Sequence, residues 1–314
     1  MHAARLNALT KDFKTGFWRP RPVRALDGVT LDVERGEALA YLGPNGAGKT
    51  TTLKLLMQLI FATSGSAEIL GRPAGDVEVR RRVGFLSEAP RFPGAPSAEE
   101  LLTHQARLFG FHSAEARRRG ALALDRVGIG GRRRCRLRGY SRGMLQRVGI
   151  ALALVNEPEV ILLDEPLSGL DPVGRRDLRT LLLALRGEGR TLLFSSHLLP
   201  DAEAVCNRVA ILNRGRLVAT TRIADLQAAG GGWQLVVEGM APAELATLGS
   251  PPLAVVVDNR GRQHVELPAD RPPERIIPEL VRRGARIVSL APRRQTLEEF
   301  FVAHVGGSGA GRAA

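Results

Sequence analysis

The sequence predicts an α/β protein: a largely parallel sheet covered by helices, followed by a smaller α+β unit. Three observations carry this expectation. Val160-Ile-Leu-Leu163 and Thr191-Leu-Leu-Phe194 are short, continuously apolar runs, the pattern of strands buried on both faces. A helix-forming stretch from Arg175 to Arg186 lies between them, and strand, helix, strand is the unit from which parallel sheets are built. After Gly230-Gly-Gly232 the pattern changes to short elements of alternating type, as expected across a linker. The 314 residues are enough for two domains at roughly 150 residues each.

The elements follow in order. Val29-Thr-Leu-Asp-Val33 and Ala38-Leu-Ala-Tyr-Leu42 read as strands, bounded by Asp27-Gly28 and Arg35-Gly36. After Gly48, the spacing of Leu53, Leu56, Met57 and Ile60 is helical, and Ala62-Thr-Ser-Gly-Ser66 is expected to end that helix. The segment from Ala98 to Leu137 lacks a strand pattern and reads as a helical insertion, with arginine triplets at 117–119 and 132–134. Beyond the linker the expected order is strand 233–237, helix 243–248, strand 254–257, a turn at Asp258-Asn-Arg-Gly261, strand 263–267, helix 273–283, strand 285–290 and helix 296–305. The core of that series, βαββαβ, is the order of the split βαβ, ferredoxin-like arrangement. Gly306 to Ala314 reads as a disordered tail.

Charge is the unusual compositional feature. Lys+Arg 45 against Asp+Glu 32 leaves +13, and residues 72–147 alone carry 17 basic and 7 acidic groups, or +10. Arginine-rich codon usage and an anionic partner both account for that excess. Cys135 and Cys206 are far apart and form no CxxC or Cys/His cluster, which argues against a zinc site or a disulfide framework and for reduced thiols in a cytoplasmic protein. The longest stretch without Lys, Arg, Asp or Glu is 13 residues, short of the about 20 that a membrane span needs. The first residues, MHAARLNALTKDF, have no apolar core of signal-peptide length, so a membrane role is expected to run through a partner.

The strongest chemical signal is Gly43-Pro-Asn-Gly-Ala-Gly-Lys-Thr50, which fits G-x-x-x-x-G-K-[ST] directly after an apolar strand and before a helix. Glycines at 46 and 48 leave room for backbone to wrap a phosphate, with successive N–H groups and the helix N-terminus facing the anion. Lys49 is expected to reach the β- and γ-phosphates and the Thr50 hydroxyl to ligate Mg²⁺. Ile161-Leu-Leu-Asp164-Glu165 ends a buried strand with two carboxylates. Asp164 suits the role of holding Mg²⁺ through water, and Glu165 is placed to polarise an attacking water.

With these motifs the chain resembles the nucleotide-binding subunit of ATP-binding cassette (ABC) transporters over about residues 3 to 225. Three further motifs in the family's order support the likeness: Tyr140-Ser-Arg-Gly-Met-Leu-Gln-Arg147 at the signature position, Ser168-Gly-Leu-Asp171 at the D-loop, and Ser195-Ser-His197 at the switch histidine. The resemblance implies a P-loop NTPase of ABC type, with a central largely parallel sheet, antiparallel N-terminal strands and a helical subdomain at about 88–150. It implies an ABC domain over 1–229, an accessory domain over 230–305 and a tail over 306–314. It further implies ATP and Mg²⁺ as cofactors and a head-to-tail dimer, each ATP lying between the P-loop of one cassette and the signature of the other. Carried onto this sequence, ATP contacts fall on Phe13, Gly43, Pro44, Asn45, Gly46, Ala47, Gly48, Lys49, Thr50 and Thr51, with Ser141, Gly143 and Asp171 completing the site. Catalysis falls on Glu165, His197 and Lys49, and metal ligation on Thr50, Glu88 and Asp164. Ser141 also suits a helix N-cap, which would let its hydroxyl, the Gly143 N–H and the helix dipole meet a γ-phosphate in trans.

Three positions depart from the commonest pattern. Arg142 and Met144 replace the second Gly and the Gln of the frequent LSGGQ signature, and the S-[KR]-G-M form is similar to that of bacterial exporters whose permease is a separate polypeptide. Glu88 stands where the family usually has the Q-loop glutamine. An adenine-stacking aromatic is expected after the first strand, where Phe13 matches best and Trp18 competes. Thr296-Leu-Glu-Glu-Phe-Phe301 is similar to the closing helix of an accessory domain in such exporter ATPases.

The function implied is an ATP-hydrolysing subunit that dimerises with a second copy or a homologue and powers an integral membrane permease, for export, from the cytoplasmic membrane face. Part of the +10 segment is expected to face the permease and the acidic membrane surface. The alternative is a soluble ABC ATPase acting on nucleic acid or ribosomes. Arg117 to Arg138 contains no Phe, Tyr or Trp, which disfavours single-strand binding. A regulatory subunit that binds ATP without turnover is disfavoured by Lys49, Asp164, Glu165 and His197 being in place.

Overall fold

Apolar strands at the centre of the chain stack side by side, and the phosphate motif hangs from one of them. The computed structural model describes residues 2–15, 21–229, 231–246 and 255–306. In chain order the elements are β1 (His2–Thr15), β2 (Arg21–Glu34), β3 (Ala38–Leu42), α1 (Lys49–Leu56), β4 (Ser64–Ile69), β5 (Arg72–Pro73), α2 (Val77–Arg80) and β6 (Val83–Leu86). Then come α3 (Ala98–Leu108), α4 (Ser113–Arg126), α5 (Arg142–Leu154), β7 (Val160–Asp164), α6 (Pro172–Gly187), β8 (Thr191–Ser196), α7 (Leu199–Val205), β9 (Arg208–Asn213) and β10 (Arg216–Arg222).

The central sheet has the order β10-β9-β3-β8-β7-β6, with β9, β3, β8, β7 and β6 parallel and β10 antiparallel at the edge. Every residue of β3, β7 and β8 is buried, which is why these strands read as unbroken apolar runs. A second sheet, β2-β1-β4-β5, is antiparallel and supplies the N-terminal strands.

One local expectation is corrected. Helix α1 ends at Leu56, and Ser64-Gly-Ser66 is the start of β4 rather than the end of a helix. Ser-Gly-Ser is turn chemistry, but here Gly65 is needed because β1 bulges at Ala8 (φ 45) and a Cβ on Gly65 would lie 2.3 Å from the Ala8 carbonyl oxygen. Only the partner strand determines that.

The helical insertion consists of α3, α4 and α5. A capping box opens α3: the Ser97 hydroxyl accepts from the Glu100 N–H at 3.2 Å, and Glu100 Oε2 accepts from the Ser97 N–H at 2.7 Å. Gly120 lets α4 approach α3, a Cβ there lying 3.2 Å from Leu102 Cβ. The arginine-rich segment before α5 is held to the loop before α3, Leu137 N–H donating to Pro96 O at 3.0 Å and Arg138 N–H to Gly94 O at 3.2 Å.

The chain parts into two compact units, one made of residues up to Ile223 with those from Phe301 onward, the other of Ala224–Phe300. This division falls six residues before the 229/230 boundary read from the glycine run, so α8 (Ile223–Ala229) begins the second unit. That unit continues as β11 (Trp233–Glu238), α9 (Pro242–Ala246), β12 (Val255–Val257), β13 (Gln263–Leu267), α10 (Pro273–Arg282) and β14 (Arg286–Pro292), and α11 (Leu297–Val305) follows. Its sheet is antiparallel with the order β12-β13-β11-β14, packed around Leu235, Val237, Val265, Leu267 and Leu280. The expected tail lies, from residue 307, outside the described residues.

Candidate phosphate-binding site

Strand β3 ends at Leu42, the chain loops through residues 43–48, and α1 starts at Lys49 with Gly48 as its N-cap at φ 108. The glycines of the loop serve different needs. A Cβ on Gly48 would lie 2.6 Å from Ala25 O and 2.6 Å from Leu26 Cδ2, and one on Gly43 would lie 2.3 Å from Leu212 O. These two glycines therefore admit the backbones of β2 and β9. Gly46 (φ 80) has open space around its Cβ position, so its left-handed backbone is the constraint there.

At the end of β7 the chain turns sharply. Glu165 has φ 49, a left-handed conformation that costs a non-glycine residue roughly 1–2 kcal/mol. A hydroxyl on the neighbouring strand secures the turn: Ser195 Oγ accepts from the Glu165 N–H at 2.8 Å and donates to Asp164 Oδ1 at 2.6 Å. The same Oδ1 accepts from the Thr50 hydroxyl at 3.0 Å. The Glu165 carboxylate is shared, with Oε2 2.7 Å from His197 Nδ1 and Oε1 3.5 Å from Lys49 Nζ. Lys49 Nζ also donates to the Gly43 carbonyl at 2.7 Å. Lys49, Asp164 and Glu165 are 6%, 1% and 7% exposed, and each has a polar partner: Lys49 and Glu165 face one another, and Asp164 accepts from two hydroxyls.

Of these residues Lys49, Thr50 and Glu165 line a cleft of about 340 Å³, together with Ala25, Asn45, Gly46, Ala47, Gly48, Thr51 and Glu88. Four motif regions distant in sequence thus converge: the phosphate loop, Glu88 two residues beyond β6, the turn at Asp164-Glu165, and Ser195 to His197 in contact with that turn. The oxygen donors of Thr50, Asp164 and Glu88 have the hard chemistry that suits Mg²⁺. Among the described residues no three His, Cys, Asp or Glu side chains cluster closely enough to hold a metal by themselves.

Other expected residues lie elsewhere. Pro44 is in the loop but does not line this cleft, and its carbonyl is 3.4 Å from Lys49 Nζ. Phe13 is exposed on β1, away from the lining, with Lys11 Nζ 5.0 Å from its ring centroid. Trp18 lies outside the described residues. Ser141 caps α5, its hydroxyl accepting from the Met144 N–H at 3.3 Å, and Asp171 caps α6, Oδ1 accepting from the Gly174 N–H at 2.7 Å. Neither these residues nor Gly143 line the cleft. Helix α5 is nonetheless tied to the turn after β7, because buried Gln146 donates through Nε2 to Pro166 O at 3.1 Å. Arg142 occupies the space beside Gly169, where a Cβ would lie 2.8 Å from its guanidinium carbon.

Ser195 is the site residue whose role the motifs do not reveal. Its signal is a hydroxyl ending an apolar strand, and its importance emerges only when the parallel register sets it opposite Asp164.

Residues 26–168 match the family model for the ABC transporter. An uncharacterised ABC transporter ATP-binding protein of Synechocystis is 39% identical across 94% of this chain and 82% of its own length. The daunorubicin/doxorubicin resistance ATP-binding protein DrrA of Streptomyces peucetius is 32% identical across 90% of this chain and 88% of its own. The Nod factor export ATP-binding protein I of Cupriavidus pinatubonensis is 36% identical across 63% and 62%. Among solved structures, an ATP-binding cassette in a dimeric post-hydrolysis state with ADP and Pi superposes with a TM-score of 0.65 at 26% identity, over 70% of this chain and 98% of that one.

Proposed function

Because this chain belongs to the family of ABC transporter ATP-binding proteins, ATPases that serve as subunits of transporters, we propose that it works as a dimer around two MgATP and powers a separate permease for export. The observation that carries the proposal is that Glu165 contacts both Lys49 and His197 while Asp164 contacts Thr50, beside the cleft of the phosphate loop.

The residues divide the work by chemistry. The N–H groups of the loop from Gly43 to Thr51 and the N-terminus of α1 hold the phosphates. Lys49 exchanges the Gly43 carbonyl for phosphate oxygen. Thr50 and Asp164, with Glu88 on the cleft wall, would hold Mg²⁺, which when bound neutralises phosphate charge. Glu165 accepts a proton from, and orients, the attacking water. His197 fixes the Glu165 carboxylate through Oε2 and stays half exposed toward the incoming phosphate. Phe13 remains the proposed adenine contact.

Ser141, Gly143 and Asp171 do not line the cleft of their own chain, which supports their serving the ATP of a second copy or a homologue. The dimeric solved relative, with ADP and Pi, supports the same arrangement. Export is supported by the drug-resistance and Nod-factor-export relatives. No described helix is long and apolar enough to cross a membrane. Exposed Arg132, Arg134, Arg136 and Arg138 supply a surface for the acidic inner leaflet or the permease, at the cytoplasmic face. The unit of residues 224–300, whose strand order is that of a split βαβ, is the proposed accessory domain.

Glu165→Gln tests the reading. It is expected to retain ATP binding, lower turnover by about 100-fold or more, and accumulate an ATP-dependent dimer seen by size-exclusion chromatography. Wild-type hydrolysis would remove Glu165 from the base role. Co-purification of a multi-span permease from solubilised membranes would identify the partner, and co-purification of ribosomal or DNA components would replace it with the nucleic-acid class.

A further inference from the structure

We propose that Ser195 is a positioning residue for hydrolysis, one hydroxyl that sets both carboxylates at the end of β7. The proposal rests on the assignment of Glu165 above.

The parallel register pairs Asp164 with Ser195. The preceding residues of β8, Leu192, Leu193 and Phe194, are apolar and buried, so a fully buried hydroxyl here is the exception that requires partners. It has them on both sides: its proton goes to Asp164 Oδ1 at 2.6 Å, and its oxygen receives the Glu165 N–H at 2.8 Å. The second contact matters because Glu165 holds φ 49, and a strained turn persists only where its surroundings over-determine it. That turn carries the Glu165 carboxylate to His197 and Lys49.

Removing the hydroxyl leaves the Glu165 N–H without that acceptor and Asp164 Oδ1 with Thr50 as its remaining side-chain donor. The carboxylate of Glu165 then loses its fixed direction. The Ser195 hydroxyl makes its hydrogen bonds to Asp164 and Glu165 and not to the phosphate loop, so ATP binding is expected to be spared. This separates positioning from general support of the fold.

The experiment is steady-state ATP hydrolysis by the full chain with Ser195→Ala and Ser195→Thr, measured against ATP and against Mg²⁺. Ser195→Ala is expected to lower kcat about 10- to 100-fold, keep KM for ATP within about threefold, and raise the Mg²⁺ concentration for half-maximal activity. Ser195→Thr keeps the hydroxyl and is expected to restore kcat to within about fivefold of wild type. Wild-type kcat in Ser195→Ala, a kcat loss matched by an equal rise in KM, or a threonine variant no better than alanine overturns the proposal. Glu165→Gln run in parallel separates the two levels. If it is inactive while Ser195→Ala is fully active, only the role of Ser195 falls; if Glu165→Gln itself turns over ATP normally, the underlying assignment falls.

Discussion

Two regions of this chain treat charge in opposite ways. In the phosphate cleft region, Lys49, Asp164 and Glu165 are buried, Lys49 facing Glu165 at 3.5 Å and Asp164 held by the hydroxyls of Thr50 and Ser195. In the unit from 224 to 300, Glu238 pairs with Arg262 and Arg286, and Glu279 with Arg282 and Arg283, all in contact with water. Buried ions cost several kcal/mol each in lost hydration, so they are retained where chemistry needs them. Exposed pairs cost little and contribute little. The cleft therefore spends stability on function, while the second unit uses charge mainly to stay solvated.

The most severe test of this contrast is Lys49→Ala. It is expected to lower turnover about 100-fold or more and to weaken ATP binding, as read by phosphate release and by nucleotide titration. A mild effect would place the buried cation with the solvated ones. Glu88→Gln probes the boundary between the classes, since Glu88 is exposed yet lines the cleft. If it contributes to the ion's shell, the Mg²⁺ concentration for half-maximal hydrolysis should shift about two- to fivefold with kcat changed little. An unchanged Mg²⁺ profile assigns it to the wall alone.

Glu238→Gln is expected to have the smallest effect. The Arg286 hydrogen bond, with Arg262 nearby, holds the Glu238 carboxyl below its ordinary range. A depressed folded value means that the contribution is present at neutral pH, above the unfolded value of about 4.3, and is lost as pH falls through the lower folded one. The variant should hydrolyse ATP normally and melt slightly earlier at pH 7, and the difference should fade in melts below about pH 4. A large loss of activity would show that the second unit's charges are tied to the cleft.

The basic excess looks different once folded. Arg118 and Arg119 pair with Glu115, Arg126 with Glu188, Arg133 and Arg134 with Glu99, and Arg147 with Asp177. Pairs to Glu115 and Glu99 are already counted in the +10, and partners outside the segment, Glu159, Glu157, Glu188 and Asp177, offset part of it. Sequence counting finds the excess but not the pairing, because Arg126 and Glu188 lie 62 positions apart.

His197 was reached only through the family resemblance, while the sequence alone made legible the phosphate loop, the two carboxylates and the buried parallel strands. Each is a contiguous pattern whose chemistry follows from neighbouring residues: glycines beside a helix start, acids ending an apolar run. Tertiary structure decided what depends on register and approach between strands. It made Ser64-Gly-Ser66 a strand opposite the bulge at Ala8, gave Gly43 and Gly48 their need for space against β9 and β2, and turned Ser195 from the polar end of a strand into the clamp on Asp164 and Glu165. A hydrogen bond between residues 31 positions apart exists only when two strands pair in one register, and the packing of the whole sheet selects that register.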